Sequence, residues 1–213
     1  MKVTDSPRKW LSPQDVNQVI ATESKVLKFP PQRKSWKISV IPKRNGTPRR
    51  ITAPSEPLKE LQRDLCQLVS DTQEFAPQVH GFIPKKGVKT AAEAISGWLA
   101  LQPMKRRQRL KCISMDMKDF FTTCSINRVK KSFKVMFPEW TARTADKAAW
   151  LCCRDNVLPQ GSPVSPIVTN VLARELDRQL MLIAKARRGV YVRYADDIFM
   201  IVESAQNIVC TIR

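Results

Sequence analysis

Two adjacent aspartates interrupt an apolar stretch near the end of the chain. The stretch reads GVYVRYADDIFMIV over residues 189–202, with Asp196 and Asp197 near its centre. Neighbouring carboxylates repel each other, and burying them without a counter-charge costs several kcal/mol. A bound divalent cation would remove that cost, because carboxylate oxygens are the hard ligands that Mg²⁺ prefers.

A third aspartate ends an earlier predicted strand. Asp116 closes the stretch CISMD, and Asp119, Phe120 and Phe121 follow it. If this strand and the aspartate hairpin are neighbours in one sheet, three carboxylates meet and form a plausible two-metal site. The surrounding apolar residues would lower the local dielectric constant and strengthen the attraction between metal and carboxylate. For the ADD triplet alone, ordinary turn chemistry is the alternative, since Asp is common in turns.

The predicted helices and strands position these residues. Alternation at Trp36, Ile38 and Val40, followed by Asn45-Gly46 and Ile51, predicts a β-hairpin with a basic tip. Apolar residues at helical spacing predict helices over residues 57–72, near 91–99, after Ser125, over 141–153, and from Ser165 to near Gly189. The fold class is α+β, with antiparallel strands and helices packed on one side.

The charge of the chain narrows the choice of partners. Its 213 residues include 37 Lys and Arg against 19 Asp and Glu, a formal net charge of +18. The excess is spread over PKRNGTPRR, PKKGVKT, MKRRQRLK and AKARRG. A solvated basic surface explains any one of these runs. All of them together, on a chain that is 43% hydrophobic, favour a globular protein that handles polyphosphate or nucleic acid.

The cysteines and the N-terminal sequence indicate in which cellular compartment the protein is expected. Six cysteines occur without a CxxC pair, and His80 is the single histidine. A zinc site is therefore not expected, and scattered thiols indicate a reduced, intracellular protein. The sequence has no signal-peptide core and no apolar run long enough to span a bilayer. We expect a cytoplasmic protein without a membrane partner.

Several segments in combination resemble known polymerase motifs. MDMKDFF, LPQGSPVSP and YADD resemble the palm motifs of reverse transcriptases, in the same order and at similar spacing. VIPKRNGTPRRITAP and VHGFIPKKG resemble the fingers motifs of the bacterial branch, found in retron, group II intron and defence-associated enzymes. The resemblance covers residues 30–205 or nearly so, and ARELDRQL leans toward the retron-like side.

The resemblance implies a right-hand polymerase palm with an antiparallel sheet and packed helices, together with fingers. Residues 1–30 would form an N-terminal helical extension, 31–110 the fingers and 111–213 the palm. The family's next elements, including the thumb that clamps the primer–template duplex, are expected to be absent from this chain. This piece by itself is therefore expected to be inactive or poorly processive.

The resemblance also implies roles for individual residues. Asp116, Asp196 and Asp197 would be the catalytic carboxylates that hold two Mg²⁺ ions, with Mn²⁺ as a possible substitute. Phe121 would be an aromatic steric gate that excludes a 2′-hydroxyl. The alternative is that Phe120 and Phe121 are both core residues, and we expect at least one of them to be. The residues implied in nucleotide binding are Lys43, Arg49, Arg50, Asp119, Phe120, Phe121, Gln160 and Gly161.

Two groups among these have specific chemistry. Cations at Lys43, Arg49 and Arg50 would fold over the triphosphate and stabilise the charge that develops in phosphoryl transfer; solvated turn charges are the alternative. Gly161 would allow close backbone approach, and Gln160 would offer its amide to the sugar or base. The loop that contains them can instead be a simple entry turn to the next helix.

Further basic residues are predicted to contact nucleic acid. The loop lysines would meet template phosphates, with a solvated loop as the alternative, and the arginines suit sequence-independent contacts to an RNA backbone. These residues are Lys85, Lys86, Lys89, Arg106, Arg107 and Arg187, with Arg109 and Arg188 nearby.

Two functions follow as hypotheses. The first is an RNA-directed DNA polymerase core that transfers deoxynucleotides onto a 3′-hydroxyl, with retron-type synthesis of DNA from a structured RNA. Its partners would be an RNA template and primer or a structured non-coding RNA, deoxynucleotides, and either the remainder of the polymerase or an effector protein. The second is a non-catalytic RNA-binding or scaffold module that retains the polymerase fold.

Overall fold

The structure, a computed structural model, describes residues 31, 33–42 and 46–203. They form two compact units, and each unit is built from two stretches of chain. The described residues up to Gln73 combine with Phe121–Val168 in the first unit, and Glu74–Phe120 combines with residues 169–203 in the second. The predicted N-terminal helix of residues 1–30 lies outside the described residues, and the division into fingers and palm stays a prediction.

The elements follow one another in an α+β order. They are a 3₁₀ turn (Arg33–Ser35), β1 (Trp36–Pro42), β2 (Pro48–Pro54), α1 (Glu56–Thr72), α2 (Val88–Ala100), α3 (Met104–Arg107), β3 (Lys111–Asp116), α4 (Ile126–Met136), α5 (Ala142–Cys152), α6 (Ser165–Leu172), α7 (Arg174–Ala186), β4 (Val190–Tyr194) and β5 (Asp197–Val202).

The first unit contains the predicted hairpin. Strands β1 and β2 pair antiparallel, with Trp36 opposite Pro54 and Pro42 opposite Pro48. Helix α1 packs against β2 and α5, and α4 packs against α5. Leu58, Leu61, Leu65 and Val69 are buried at the three- and four-residue spacing that the sequence shows. The hairpin and the helix after it are therefore confirmed.

The second unit is built on a three-stranded antiparallel sheet with the order β3-β5-β4. Helices α2 and α7 pack against β4. A compact apolar cluster joins Leu180 and Ala184 of α7 to Tyr191, Met200 and Val202 of the sheet. This sheet fixes the ends of β3 and β5 side by side, where the predicted carboxylates lie.

Two local predictions differ from the structure. The single helix predicted from Ser165 to near Gly189 is two helices, α6 and α7, separated at Ala173, where φ is −83° and ψ is −5°. The apolar stripe continues across this break, so periodicity does not reveal it. The charged connection before β3 contains one additional turn of helix, α3. Within the described ranges, no helix has both the length and the apolar character needed to cross a membrane.

Candidate functional site

The sheet of the second unit places the three predicted aspartates at neighbouring backbone positions along one edge. Asp116, the last residue of β3, lies directly opposite Asp197, the first residue of β5. Tyr194 lies opposite Asp197 on the other side, so Ala195 and Asp196 form a two-residue turn between β4 and β5. The backbone N–H of Met117 donates to the carbonyl oxygen of Asp196 at 3.0 Å. The expected meeting of the two strand ends is confirmed.

The turn that carries Asp196 has an unusual backbone. Ala195 has φ +56°, whereas Asp196 has no positive φ. A positive φ at the first central residue is the pattern of a type II′ hairpin turn, in which glycine is preferred. A residue with a side chain held in this region costs on the order of 1–3 kcal/mol, so surrounding contacts must maintain the conformation. The site therefore contains local strain beside its carboxylates.

The pKa of Asp197 reflects its surroundings at this edge of the sheet. Asp116 and Asp197 are exposed and Asp196 is half-buried. Partial burial raises the pKa of Asp197 above its ordinary value, and the negative charges of Asp196 and Asp116 raise it further. When the neighbours of a carboxylate disfavour its ionised form, a bound cation stabilises that ionised form. The electrostatics of this edge thus favour a divalent cation.

The three aspartate side chains do not form a closed metal-binding cage. In the described part of the chain, no group of three or more His, Cys, Asp and Glu side chains is gathered closely enough to hold a metal ion. Mg²⁺ rarely needs a complete protein cage, since it keeps several waters and takes one or two carboxylates together with substrate phosphates. The donor set is composed of oxygen ligands only, which fits Mg²⁺ or Mn²⁺.

A buried arginine lies next to the turn. Arg193 is 0% exposed. Its Nε and Nη2 donate to the two carboxylate oxygens of Asp177, each at 2.7 Å. Its Nη1 donates to Asn170 Oδ1 and to the carbonyl oxygen of Ala195, each at 2.9 Å. Tyr191 Oη donates to Asp177 Oδ1 at 2.5 Å, and burial, followed by the Asp177 charge, raises the pKa of Tyr191.

Sequence reasoning did not single out this network. The available signal is polar residues within otherwise apolar stretches: Arg193 in VYVRY, and Asn170 and Asp177 seven residues apart in the segment NVLARELD. Buried charges are rare unless they are paired, so a charged residue in the middle of a strand calls for a partner. The identity of that partner requires the tertiary fold.

The two phenylalanines after Asp119 differ in burial. Phe120 is 8% exposed, and its ring lies 6.0 Å from Arg193 Cζ, so it is the expected core residue. Phe121 is half-buried and belongs to the first unit. Its role as a steric gate stays a prediction. Asp119 is exposed, with φ +53°, a conformation that Asp tolerates better than most residues.

The predicted nucleotide loop of the first unit is attached to β2. The N–H of Thr52 donates to the carbonyl oxygen of Gln160 at 2.6 Å. Gly161 has φ +107°, and a Cβ at this position would lie 2.7 Å from Ile51 Cγ2. The neighbours of Gly161 in the structure are Ile51 and Thr52 of β2, and its expected close approach to a nucleotide stays a prediction. Glycine is required here for both conformation and space.

A buried hydrogen-bond chain fixes the same loop from the other side. Ser162 Oγ donates to Gln62 Oε1 at 2.7 Å, and Gln62 Nε2 donates to the carbonyl oxygen of Leu151 at 2.7 Å. Gln62 is 0% exposed. The loop is thus held by β2, α1 and α5 together, and its position does not depend on a ligand.

Two of the three cations predicted to bind the triphosphate lie on strand β2. Arg49 lies opposite Ile41 and Arg50 opposite Val40 on β2, and both arginines are exposed. Lys43 lies outside the described residues. Arg49 and Arg50 are therefore available on the strand that holds the Gln160 loop.

Several of the predicted nucleic-acid residues make internal hydrogen bonds. Lys86 Nζ donates to the carbonyl oxygens of Pro77 and Val79, each at 2.9 Å, and burial lowers its pKa. Arg106 pairs with Glu203 at 2.6 Å, and Arg107 donates to two carbonyl oxygens in the segment before α3. Of the other three residues, Lys85 and Lys89 are exposed and Arg187 is half-buried. All six nucleic-acid contacts stay predictions.

Comparison with protein families identifies one match over most of the chain. The sequence model of the family described as "Reverse transcriptase (RNA-dependent DNA polymerase)" matches residues 41–213. The match includes the three carboxylates, the Gln160 loop and strand β2.

Curated relatives are similar over much of this chain. The retron Mx65 reverse transcriptase of Myxococcus xanthus is 29% identical, over 89% of this chain and 47% of its own length. The retron Mx162 reverse transcriptase of the same organism is 30% identical, over 77% of this chain and 34% of its own length. The retron Ec86 reverse transcriptase of Escherichia coli is 27% identical, over 76% of this chain and 46% of its own length. The chain spans half of these relatives' length or less.

Solved structures share the fold at low sequence identity. Apo telomerase from Candida tropicalis has a TM-score of 0.61 at 15% identity, covering 94% of this chain and 45% of the telomerase. Telomerase from Candida albicans in complex with a TWJ fragment of telomeric RNA has a TM-score of 0.60 at 14% identity, covering 93% and 43%. These likenesses show a common fold with helices and antiparallel sheets.

Proposed function

The chain belongs to the reverse transcriptase family, and we propose that it is the fingers and palm portion of an RNA-directed DNA polymerase. It adds deoxynucleotides to a 3′-hydroxyl along an RNA template. The observation that supports this most strongly is the pairing of Asp116 with Asp197 across β3 and β5, with Asp196 in the adjacent turn. Neighbouring carboxylates repel each other unless a cation neutralises them, so this arrangement favours a metal-dependent function.

Asp116, Asp196 and Asp197 hold the divalent cations in this proposal, with Asp116 and Asp196 as the principal ligands. When bound there, divalent cations such as Mg²⁺ would supply Lewis acidity, which would lower the pKa of an attacking 3′-hydroxyl and neutralise charge on a leaving pyrophosphate. The protein orients these ligands and places apolar residues beneath them. Ile198 and Met200 of β5 are 2% and 0% exposed; they alternate with Asp197 along the strand and pack in the apolar cluster on the opposite face of the sheet, which anchors the strand end that carries Asp197.

The first unit binds the nucleotide in this proposal. Arg49 and Arg50 contact the triphosphate, because guanidinium groups can bind phosphate oxygens in a bidentate manner. Gln160 and Gly161 contact the sugar or base, and Phe121 excludes a 2′-hydroxyl. The hydrogen bond between Thr52 and Gln160 supports this assignment, since it links the strand of the two arginines to the loop. Lys43 is a further proposed nucleotide contact, as is Asp119, which belongs to the second unit.

The template in this proposal is a structured RNA of the retron type. The relatives named above are retron reverse transcriptases, and the net charge of +18 suits a phosphate-rich partner. A thumb or an effector protein is a further proposed partner. The cysteines of the described chain are free thiols at positions 66, 112, 124, 152 and 153, which suits activity in the reducing cytoplasm.

A single-nucleotide incorporation assay tests the proposal. The 213-residue protein is mixed with a primed RNA template, Mg²⁺ and one nucleotide, so that processive extension is not required. We expect incorporation of the complementary deoxynucleotide, little incorporation of the ribonucleotide, and none in EDTA. Salt-sensitive RNA binding without metal-dependent incorporation would favour the non-catalytic RNA-binding module instead.

A further inference from the structure

The turn that carries Asp196 is held from two sides within the second unit. On one side, Arg193 Nη1 donates to the carbonyl oxygen of Ala195. On the other, Gly81 lies so close that a Cβ at this position would be 2.2 Å from the backbone nitrogen of Ala195. Asn170 connects the two sides, because its Nδ2 donates to the Gly81 carbonyl oxygen at 2.8 Å and its Oδ1 accepts from Arg193.

Backbone hydrogen bonds fix the same arrangement. The N–H of Arg193 donates to the carbonyl oxygen of Gln78 at 2.9 Å, and the N–H of His80 donates to the carbonyl oxygen of Arg193 at 2.9 Å. The segment before Gly81 is thereby attached to β4 beside the turn. Arg193 is thus the residue through which the segment 78–81, helix α7 and the turn are joined.

We propose that Arg193 is a positioning residue: its bond to Ala195 maintains the strained turn and so fixes Asp196 and Asp197 in the geometry that receives divalent cations. This inference rests on the proposed function for the identity of the bound group. Arg193 is fully buried, and it acts through the backbone of the turn by its bond to the Ala195 carbonyl oxygen.

The strain at Ala195 explains why such a residue is needed. An alanine with φ +56° returns to negative φ when its surroundings permit, because its Cβ is crowded in the left-handed region. That rotation would swing the peptide that precedes Asp196. The bond from Arg193 to the Ala195 carbonyl oxygen opposes the rotation, and the contact with Gly81 leaves no space for it.

Stability alone does not account for the network. A buried ion pair is weak evidence for stability, since desolvation of the two charges offsets much of their attraction. The guanidinium serves three acceptors in fixed directions, namely Asp177, Asn170 and the Ala195 carbonyl oxygen. A lysine at position 193 carries the same charge but lacks the planar fork that reaches all of them.

The test measures metal binding separately from catalysis. Arg193→Lys is compared with Arg178→Lys, a matched control on α7 in which an exposed arginine also makes two bonds to one carboxylate, that of Glu175. Mn²⁺ binding to the 213-residue protein is titrated by electron paramagnetic resonance, and folding is checked by circular dichroism and thermal melting. We expect Arg193→Lys to weaken Mn²⁺ affinity about tenfold or more, as for other residues that orient metal ligands, and Arg178→Lys to leave it unchanged.

A rescue variant separates positioning from general folding. Ala195→Gly removes the strain, because glycine adopts positive φ without a steric penalty. In the Arg193→Lys background it should restore several-fold of the lost Mn²⁺ affinity and lower the half-saturating Mg²⁺ concentration for incorporation, with RNA affinity constant throughout. A loss that Ala195→Gly does not recover would overturn the proposal, as would wild-type Mn²⁺ affinity in folded Arg193→Lys.

A substitute variant and two further outcomes cover the cases in which Arg193→Lys does not fold, incorporation is absent or Mn²⁺ does not bind. If Arg193→Lys does not fold, Asn170→Ala takes its place, because it keeps the Arg193–Asp177 pair and removes the link to Gly81; it should weaken Mn²⁺ binding by a smaller factor, and no weakening overturns the proposal. If the wild type binds Mn²⁺ and the variants change Mn²⁺ affinity as described but no nucleotide is incorporated, the proposed polymerase function fails and the positioning role stands. If the wild type does not bind Mn²⁺, the positioning role falls.

Discussion

Gly81 lies directly against the backbone of Ala195, in the turn between β4 and β5. A Cβ at position 81 would meet Ala195 N at 2.2 Å and Ala195 Cα at 2.9 Å, and backbone atoms cannot yield as a flexible side chain can. The absence of a side chain at Gly81 is therefore a condition for the position of Asp196 and Asp197.

The substitution Gly81→Ala should displace the aspartate turn. We expect it to lower the free energy of unfolding by about 1–3 kcal/mol, as overpacking does, and to reduce single-nucleotide incorporation more than RNA binding. Gly97→Ala is the matched control, because Gly97 lies within α2 with no atom near its Cβ position. The control should be neutral or stabilise the helix by up to about 1 kcal/mol. Equal activities in the two variants would contradict the role of Gly81.

The substitution Asp197→Asn should stabilise the metal-free protein. The pKa of Asp197 is raised in the folded chain, so its protonation favours folding at acid pH, and that contribution is lost as the pH rises through the folded-state pKa. Asparagine imitates the protonated form: it avoids the partial burial of a charge and removes the repulsion from Asp196 and Asp116, for a gain of about 0.2–1 kcal/mol near neutral pH.

Thermal melts with and without MgCl₂ check this prediction for Asp197. Mg²⁺ should raise the melting temperature of the wild type more than that of the variant, because the cation and the substitution relieve the same repulsion. Glu139→Gln, at an exposed position outside the site, is the control and should change neither melt. A lower melting temperature for metal-free Asp197→Asn would count against electrostatic coupling of the carboxylates.

The substitution Gly161→Ala should alter nucleotide binding. The added Cβ would lie 2.7 Å from Ile51 Cγ2 and would also have to accept φ +107°. We expect the loop to shift away from β2 and KM for the deoxynucleotide to rise, with a smaller change in RNA affinity. Gly87→Ala adds a methyl group where no atom lies nearby and should leave KM unchanged. An unchanged KM in Gly161→Ala would remove the loop from the proposed nucleotide site.

Lys86, in the VHGFIPKKG loop, and Lys89, in helix α2 just after it, should respond differently to loss of their charge. Lys86→Gln removes an ammonium that is bonded to three carbonyl oxygens, those of Ala76, Pro77 and Val79, and should destabilise the protein by about 1–3 kcal/mol. The Lys89 side chain is 89% exposed, and its Nζ lies 3.9 Å from Glu93 Oε1. Lys89→Gln should therefore leave the free energy of unfolding unchanged and weaken RNA binding at low salt. Denaturant unfolding and RNA titrations at two salt concentrations distinguish them. Equal effects of both variants on stability would contradict this division.

The prediction of the carboxylate edge from sequence succeeded for a physical reason. Asp116 and Asp197 each end or begin a short apolar stretch, and antiparallel pairing of such stretches places their ends side by side. The hairpin of β1 and β2 and helix α1 follow from alternation and helical periodicity, which are local properties. Local patterns were therefore sufficient for these elements.

The parts that sequence did not reveal depend on distant contacts. The network of Arg193 joins residues from the segment 78–81, from α6 and α7, and from β4. The positive φ of Ala195 is likewise maintained by its surroundings, since alanine has no intrinsic preference for it. Lys86 looked like a phosphate ligand by composition, yet its nearest acceptors are carbonyl oxygens of its own loop. Neither burial nor partners of such polar groups can be read from residue order.

The central claim is that Asp116, Asp196 and Asp197 serve metal-dependent nucleotidyl transfer. The most direct measurement is single-nucleotide incorporation on a primed RNA by the wild type and Asp196→Asn, with RNA affinity measured on the same samples. The account predicts a loss of about a hundredfold or more in incorporation with RNA affinity nearly unchanged. Incorporation by Asp196→Asn close to that of an active wild type would contradict it.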